Sequence, residues 1–184
     1  MKDLSMGVPA SYLASAVFEL QRTKRLGERA LAQLRGEDEW RWRPDAESNS
    51  IAITVQHLAG NMLSRWTDFL TTDGEKPSRR RDAEFEPTDL APARLEALWR
   101  EGWACCLEAV GALTPEDLTK TVTIRGEPLT VIEALQRQIS HYAYHVGQIV
   151  FVARWLRGAD WESLSIPRGK SSEFTRGRYR SPGA

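Results

Sequence analysis

Residues 130–158, TVIEALQRQISHYAYHVGQIVFVARWLRG, decide the fold class of this chain. Apolar residues recur in this stretch at intervals of three and four, which is the period of an amphipathic α-helix. Thr130, followed by Glu133, forms a capping box at the start, and Gly158 is a typical helix stop. The apolar stripe consists of Val131, Ile132, Leu135, Ile139, Tyr142, Val146, Ile149, Val150, Ala153 and Leu156. The stretch therefore predicts one long helix with a single face in an apolar core.

The same apolar period occurs in three earlier stretches of the chain. The first predicted helix ends at Gly36, and the second follows the capping residues Ser48–Ser50 and ends at Asp73–Gly74. The third begins near Thr88 or Asp89 and ends near Gly111. Four long amphipathic helices in one domain predict an all-α fold, an antiparallel four-helix bundle.

Two connections carry information of their own. The β-branched segment Thr121–Ile124, followed by a Gly- and Pro-containing turn, predicts a short extended or hairpin segment near 119–128. The connection 75–87 is highly charged and carries three consecutive arginines, Arg79–Arg81. It is interpreted as a solvent-exposed loop rather than a nucleic-acid patch.

Bulk composition limits the classes of function. The chain has 184 residues, with 25 Lys and Arg against 25 Asp and Glu, so no net charge draws it toward nucleic acid or an anionic membrane. We expect one domain over 1–170 and a basic, frayed tail over 171–184. The N-terminus lacks a secretory signal pattern and no long uncharged run occurs, so a cytoplasmic protein is expected. The adjacent Cys105 and Cys106 predict reduced thiols, with Cys106 in the core.

All three histidines of the chain lie in the second and fourth predicted helices: His57, His141 and His145. A spacing of four residues rotates a helical side chain by only about 40°, so His141 and His145 can reach one ion. Helical rotation also places His57 toward the same border of the bundle, if its helix is a neighbour. The spacing indicates a three-nitrogen metal site. The alternative is a chance pair on a surface helix with a hydrogen-bonded third histidine.

Several blocks of sequence resemble the DinB-like superfamily of metal-dependent four-helix-bundle proteins, in a subfamily of unassigned substrate. The blocks are Asn49-Ser50-Ile51, His57-Leu58-Ala59-Gly60-Asn61-Met62, Asp73-Gly74-Glu75 and His141-Tyr142-Ala143-Tyr144-His145-Val146-Gly147-Gln148-Ile149. The likeness extends from about the first helix to Ser171. It implies a divalent ion, zinc or nickel, on His57, His141 and His145, and a homodimer. Related groups include thiol S-transferases, so the resemblance admits a low-molecular-weight thiol as a further cofactor.

Three neutral imidazoles leave an ion with an open coordination position, which is typical of a catalytic rather than a structural site. Either water or a thiol bound there would lose a proton readily. Five residues are candidates for substrate binding or for support of the ligands: Thr54, Asn61, Arg65, Gln138 and Gln148. Of these, Arg65 could hold a substrate carboxylate or phosphate, although a solvated or ion-paired arginine is the commoner case.

Two functions follow from this interpretation. The first is a metal-dependent enzyme that acts on a small molecule, either a hydrolase or a thiol S-transferase. The alternative is a non-catalytic metal- or ligand-binding bundle in which the ion is a sensor or a structural element. Turnover that requires the ion would separate the two. Neither nucleic acid nor a membrane is expected as a partner.

Overall fold

The computed structural model describes residues 7–173, and within them the chain is mostly helical, with five α-helices and one two-stranded sheet. The elements are α1 (Val8–Leu31), α2 (Glu37–Arg41), α3 (Ile51–Trp66), α4 (Pro92–Gly111), β1 (Thr121–Ile124), β2 (Glu127–Thr130) and α5 (Val131–Arg157). Four of the helices are long, and they are the four that the apolar period predicts.

Each long helix packs against two of the others. Helix α1 contacts α4 and α5, and α3 contacts the same two helices from the other side. A 3-10 turn, Asp82–Phe85, also packs on α3, so this helix is enclosed on three sides. As a result α3 is buried on nearly its whole circumference, and Leu63 is its one exposed residue. The positions of the α3 side chains therefore depend on contacts with several other elements of the chain.

Several predicted boundaries are confirmed. The capping box of Thr130 and Glu133 starts α5, and Gly158, at φ 56°, ends it. Ser50 caps α3 by accepting a hydrogen bond from the Ile53 amide. The hairpin forms as predicted but slightly later in the chain: β1 and β2 pair antiparallel from Thr121 opposite Thr130 to Ile124 opposite Glu127.

Three helix ends differ from the prediction. Helix α1 ends at Leu31, and Gly36 instead precedes α2 in an extended conformation. Helix α3 ends at Trp66 rather than at Asp73–Gly74, because Thr67 is extended and Asp68 adopts a positive φ of 48°. Helix α4 begins at Pro92, not at Thr88 or Asp89, since the fixed φ of proline suits the first helical position.

The prediction of a solvent-exposed connection at 75–87 is wrong for its most important residues. Glu84 is only 7% exposed, and the side chain of Arg79 is 3% exposed. Their charges are buried because they pair with each other, with Nη2 of Arg79 lying 2.7 Å from Oε2 of Glu84. The other two arginines of the triplet are exposed.

Two further observations concern the thiols and the tail. Cys105 and Cys106 are both free, and burial raises the pKa of the Cys106 thiol, as expected for a core residue. Among residues 7–173, no helix combines the length and the apolar character that crossing a bilayer requires. The predicted tail, 171–184, lies from residue 174 onward outside the described residues.

Candidate metal centre

The structure brings all three histidines together between α3 and α5. Nε2 of His141 lies 3.2 Å from Nε2 of His57 and 3.1 Å from Nε2 of His145. One ligand nitrogen from each ring can be chosen so that all three lie within 4.8 Å of one another. The group could therefore hold a metal ion.

Contacts next to the histidines fix how α3 and α5 meet. The hydroxyl of Tyr142 donates to Oδ1 of Asn61 at 3.0 Å, and Nε1 of Trp66 donates to the same hydroxyl at 2.8 Å. Tyr142 is fully buried and neighbours His141 in sequence. Asn61 lies one turn after His57 on α3. The hydrogen bonds thus set the relative rotation of the two helices that carry the site.

The donor set fits a divalent transition metal. A tetrahedral ion with Zn–N bonds of about 2.0–2.1 Å holds its ligand nitrogens about 3.3 Å apart, close to the two distances from His141. Imidazole is a good ligand for zinc and nickel alike. When two imidazole nitrogens face each other at 3.1 Å, at most one can carry a proton and donate. A cation between the rings would remove the repulsion between lone pairs that face each other.

The pKa values of the α5 histidines favour the metal-binding form. Burial, followed by the neighbouring His145 and His57, lowers the pKa of His141 to about 3. Burial also lowers the pKa of His145, against an opposing hydrogen bond with Gln148. Both rings are therefore neutral near pH 7, and each keeps the lone pair that a metal requires.

The outer nitrogens of two rings also have partners. Nδ1 of His145 lies 2.8 Å from Oε1 of Gln148, so this predicted residue contacts one of the three histidines. Nδ1 of His57 lies 3.0 Å from Oε2 of Glu84. Glu84 is not among the residues that the sequence predicts for the site, because it lies 27 residues from its partner in a segment whose charges indicate solvent exposure.

The other four predicted residues are buried and have different contacts. Oγ1 of Thr54 donates to the Ser50 carbonyl at 2.9 Å and so supports the start of α3. Asn61 accepts from Tyr142, as described above. Arg65 is 2% exposed, and its Nε and Nη1 atoms make no hydrogen bond to any described residue. Oε1 of Gln138 is likewise buried and lacks a partner among residues 7–173.

A network of buried charges extends from His57 toward Arg65. Arg79 contacts both Glu84 and Glu75, with Nη1 2.9 Å from Oε2 of Glu75. The same carboxylate oxygen lies 3.9 Å from Nη2 of Arg65. Burial lowers the pKa of Arg65. The network links His57 to two carboxylates and two guanidinium groups.

Comparison with known proteins adds a family. A family model described as a protein of unknown function (DUF1572) matches residues 7–170. The matched region includes all three histidines and Glu84. No curated protein matches the chain.

Proposed function

The chain belongs to the DUF1572 family, and we propose that it is a metal-dependent enzyme that acts on a small molecule. In this proposal its four long helices form an antiparallel bundle of the DinB-like kind. His57, His141 and His145 hold one divalent ion, zinc or nickel, and the reaction is either a hydrolysis or a thiol S-transfer.

The observation that carries the proposal is the convergence of three Nε2 atoms from helices distant in sequence. His57 and His141 are 84 residues apart, yet their nitrogens lie 3.2 Å apart. All of the chain's histidines are used in this one group. Three neutral protein ligands are typical of catalytic sites, which keep a position open, whereas structural zinc sites usually have four protein ligands.

When bound, a divalent ion acts as a Lewis acid and lowers the pKa of the group that it polarises, which suits both reaction classes. The protein's own part is to hold three imidazoles in place and to keep His141 and His145 neutral by burial. Glu84 is poorly suited to act as a general base, because Arg79 donates to both of its oxygens at 2.7 Å. Any proton acceptor for the reaction is thus expected to be the substrate, the thiol or solvent.

Metal analysis of the untagged protein is the first test. We expect about one equivalent of zinc or nickel per chain, and loss of the ion in His57→Ala, His141→Ala and His145→Ala. The matched control is Ser140→Ala, an exposed position next to His141 on the same helix. A chain that binds no divalent ion under any loading condition would overturn the proposal.

A panel of small-molecule substrates, with and without thiols, then tests the activity. Turnover that needs the ion and disappears in His145→Ala supports the enzyme. A melting temperature that depends on the metal without any turnover supports the non-catalytic binding protein.

A further inference from the structure

We propose that Glu84 is a positioning residue for the metal centre, holding His57 in the tautomer that carries its proton on Nδ1 and leaves Nε2 free. This inference rests on the proposed function, since His57 is one of the three residues proposed to hold the ion. Its evidence is the contact geometry around one ring, which can be tested on the metal-free protein.

The direction of the hydrogen bond follows from the charge of Glu84. Arg79, whose guanidinium has only donors, donates to both carboxyl oxygens of Glu84 at 2.7 Å, which is the geometry of an ionised carboxylate. An ionised carboxylate has no proton to donate. The contact of 3.0 Å between Oε2 and Nδ1 therefore requires His57 to be the donor. With its proton on Nδ1, a neutral His57 presents a lone pair at Nε2, where the other histidines converge.

Arg79 holds the carboxylate in place. Its Nε donates to Oε1 and its Nη2 to Oε2, each at 2.7 Å, so the contact is bidentate. Charge-assisted pairs of this kind are the strongest hydrogen bonds that side chains form, and their planarity fixes orientation. Arg79 is itself anchored by Glu75 at 2.9 Å. The carboxylate is therefore restrained on the side opposite His57.

Gly60 provides the space that the carboxylate occupies. A Cβ atom at this position would lie 2.3 Å from Oε1 and 2.7 Å from Cδ of Glu84. Gly60 follows His57 by three residues, so it lies on the same face of α3. The ring of Phe85 packs on His57 at a centroid distance of 4.4 Å. The segment after Arg79 thus encloses His57 with one charged and one aromatic contact.

These contacts predict a measurable effect on the metal. An imidazole has two nitrogens, and the hydrogen bond that one of them makes decides whether the other is free to bind a metal. Partners of ligand histidines typically contribute 10- to 100-fold to metal affinity. We expect Glu84→Gln to lower the affinity for Zn²⁺ by about that factor. Gly60→Ala should act in the same direction while keeping the carboxylate's charge, because it displaces Glu84.

The tautomer itself is measured on the metal-free, full-length protein by two-bond ¹H–¹⁵N correlation of the imidazole rings. The wild type should show His57 protonated on Nδ1, and Glu84→Gln should shift the ring toward protonation on Nε2. Asp82→Asn is the matched control, since it removes one carboxylate from the same turn at an exposed position. We expect it to leave both the tautomer and the Zn²⁺ affinity unchanged.

The outcomes separate the two proposals. A wild-type His57 protonated on Nε2 in the metal-free protein overturns the role of Glu84, whatever the chain binds. A Zn²⁺ affinity that Glu84→Gln and Gly60→Ala leave unchanged overturns it too. The expected tautomer in a chain that binds no Zn²⁺ supports the contact and overturns the proposed function instead. If Glu84→Gln fails to fold by circular dichroism, the wild-type spectrum and Gly60→Ala decide the question.

Discussion

At His145 the neutral amide of Gln148 makes the contact that a carboxylate makes at His57. The distance from Oε1 to Nδ1 is 2.8 Å. A neutral acceptor forms a weaker hydrogen bond than a charged one, roughly by half. We therefore predict that Gln148→Leu lowers Zn²⁺ affinity by about 10-fold, the lower end of the range for such partners. Competition with a chelating dye measures this. An effect larger than that of Glu84→Gln would contradict the ranking.

Arg65 presents a different question, because its guanidinium is buried without hydrogen bonds from Nε and Nη1. The carboxylate that pairs with it, Glu75, lies 3.9 Å away and is already paired with Arg79. Arg65→Met would therefore leave no carboxylate without a partner. A buried charge that lacks hydrogen bonds carries a desolvation cost, and an apolar residue of similar volume removes that cost.

For Arg65→Met we predict an unchanged or higher free energy of unfolding in urea, together with an unchanged Zn²⁺ stoichiometry. A loss of more than about 2 kcal/mol would show that the guanidinium stabilises the fold, as one partner of a well-formed buried pair does. If the variant is stable but no longer binds an acidic substrate, Arg65 serves recognition.

At the scale of the elements, the sequence predicts what depends on periodicity and fails where long-range packing decides. The four long helices and the hairpin follow from local patterns, and the histidines meet because their spacing and rotation are helical properties. The sequence predicts a helix stop at Asp73–Gly74, but a Cβ atom at Gly74 would lie 2.5 Å from Nη1 of Arg65. Because glycine has no side chain, the guanidinium of Arg65 can pack closely against the backbone at Gly74. Likewise, the charges of Arg79 and Glu84 predict solvent exposure, but these side chains are buried because they pair with each other.

Gly27 gives an element-scale prediction, since it lies where α1 crosses α4. A Cβ atom at this position would lie 2.4 Å from Cη2 of Trp99. Alanine is favoured over glycine inside a helix by about 1 kcal/mol. Overpacking a filled core typically costs about 1–3 kcal/mol, so Gly27→Ala should be destabilising on balance.

The control for that variant is Gly111→Ala, at the exposed C-terminal end of α4, where a Cβ atom meets nothing within 4 Å. It should raise the free energy of unfolding by up to about 1 kcal/mol. Urea titrations of both variants give the comparison. Equal effects of the two substitutions would mean that Trp99 moves aside freely.

For the whole molecule, the homodimer implied by the DinB-like resemblance stays a prediction, and we expect its contact on α5. Residues 138–153 contain no Asp, Glu, Lys or Arg, yet Tyr144 is 65% and Phe151 67% exposed. An uncharged aromatic face is compatible with a second copy of itself and offers no basic residue to an anionic membrane.

Light scattering across a concentration series tests this contact. The wild type should have twice the chain mass of 20.8 kDa, and Phe151→Glu should reduce it to one chain. Leu63→Glu, at an exposed apolar position on α3, should leave the dimer intact. A monomeric wild type at about 100 µM, a concentration at which even weak specific dimers form, would refute the prediction.

The stability of the folded chain should depend on both metal binding and pH, because the three histidines are part of the buried packing between α3 and α5. An ion that binds only the folded chain stabilises it by about 2.7 kcal/mol at a free concentration 100 times its Kd. A chelator should therefore lower the melting temperature of the wild type but not that of His57→Ala.

Because the pKa of folded His141 is about 3, protons compete little with the ion at this ligand. In the unfolded chain the same ring has its ordinary pKa of about 6.5 and takes up a proton as the pH falls. The metal-free protein should thus lose stability from about pH 6.5 downward, since the unfolded state binds more protons there. Melting temperatures of the metal-free protein between about pH 7 and pH 5 measure this loss. If stability is unchanged over that range, His141 titrates in the folded chain as an exposed ring does, and its burial in the centre is disproved.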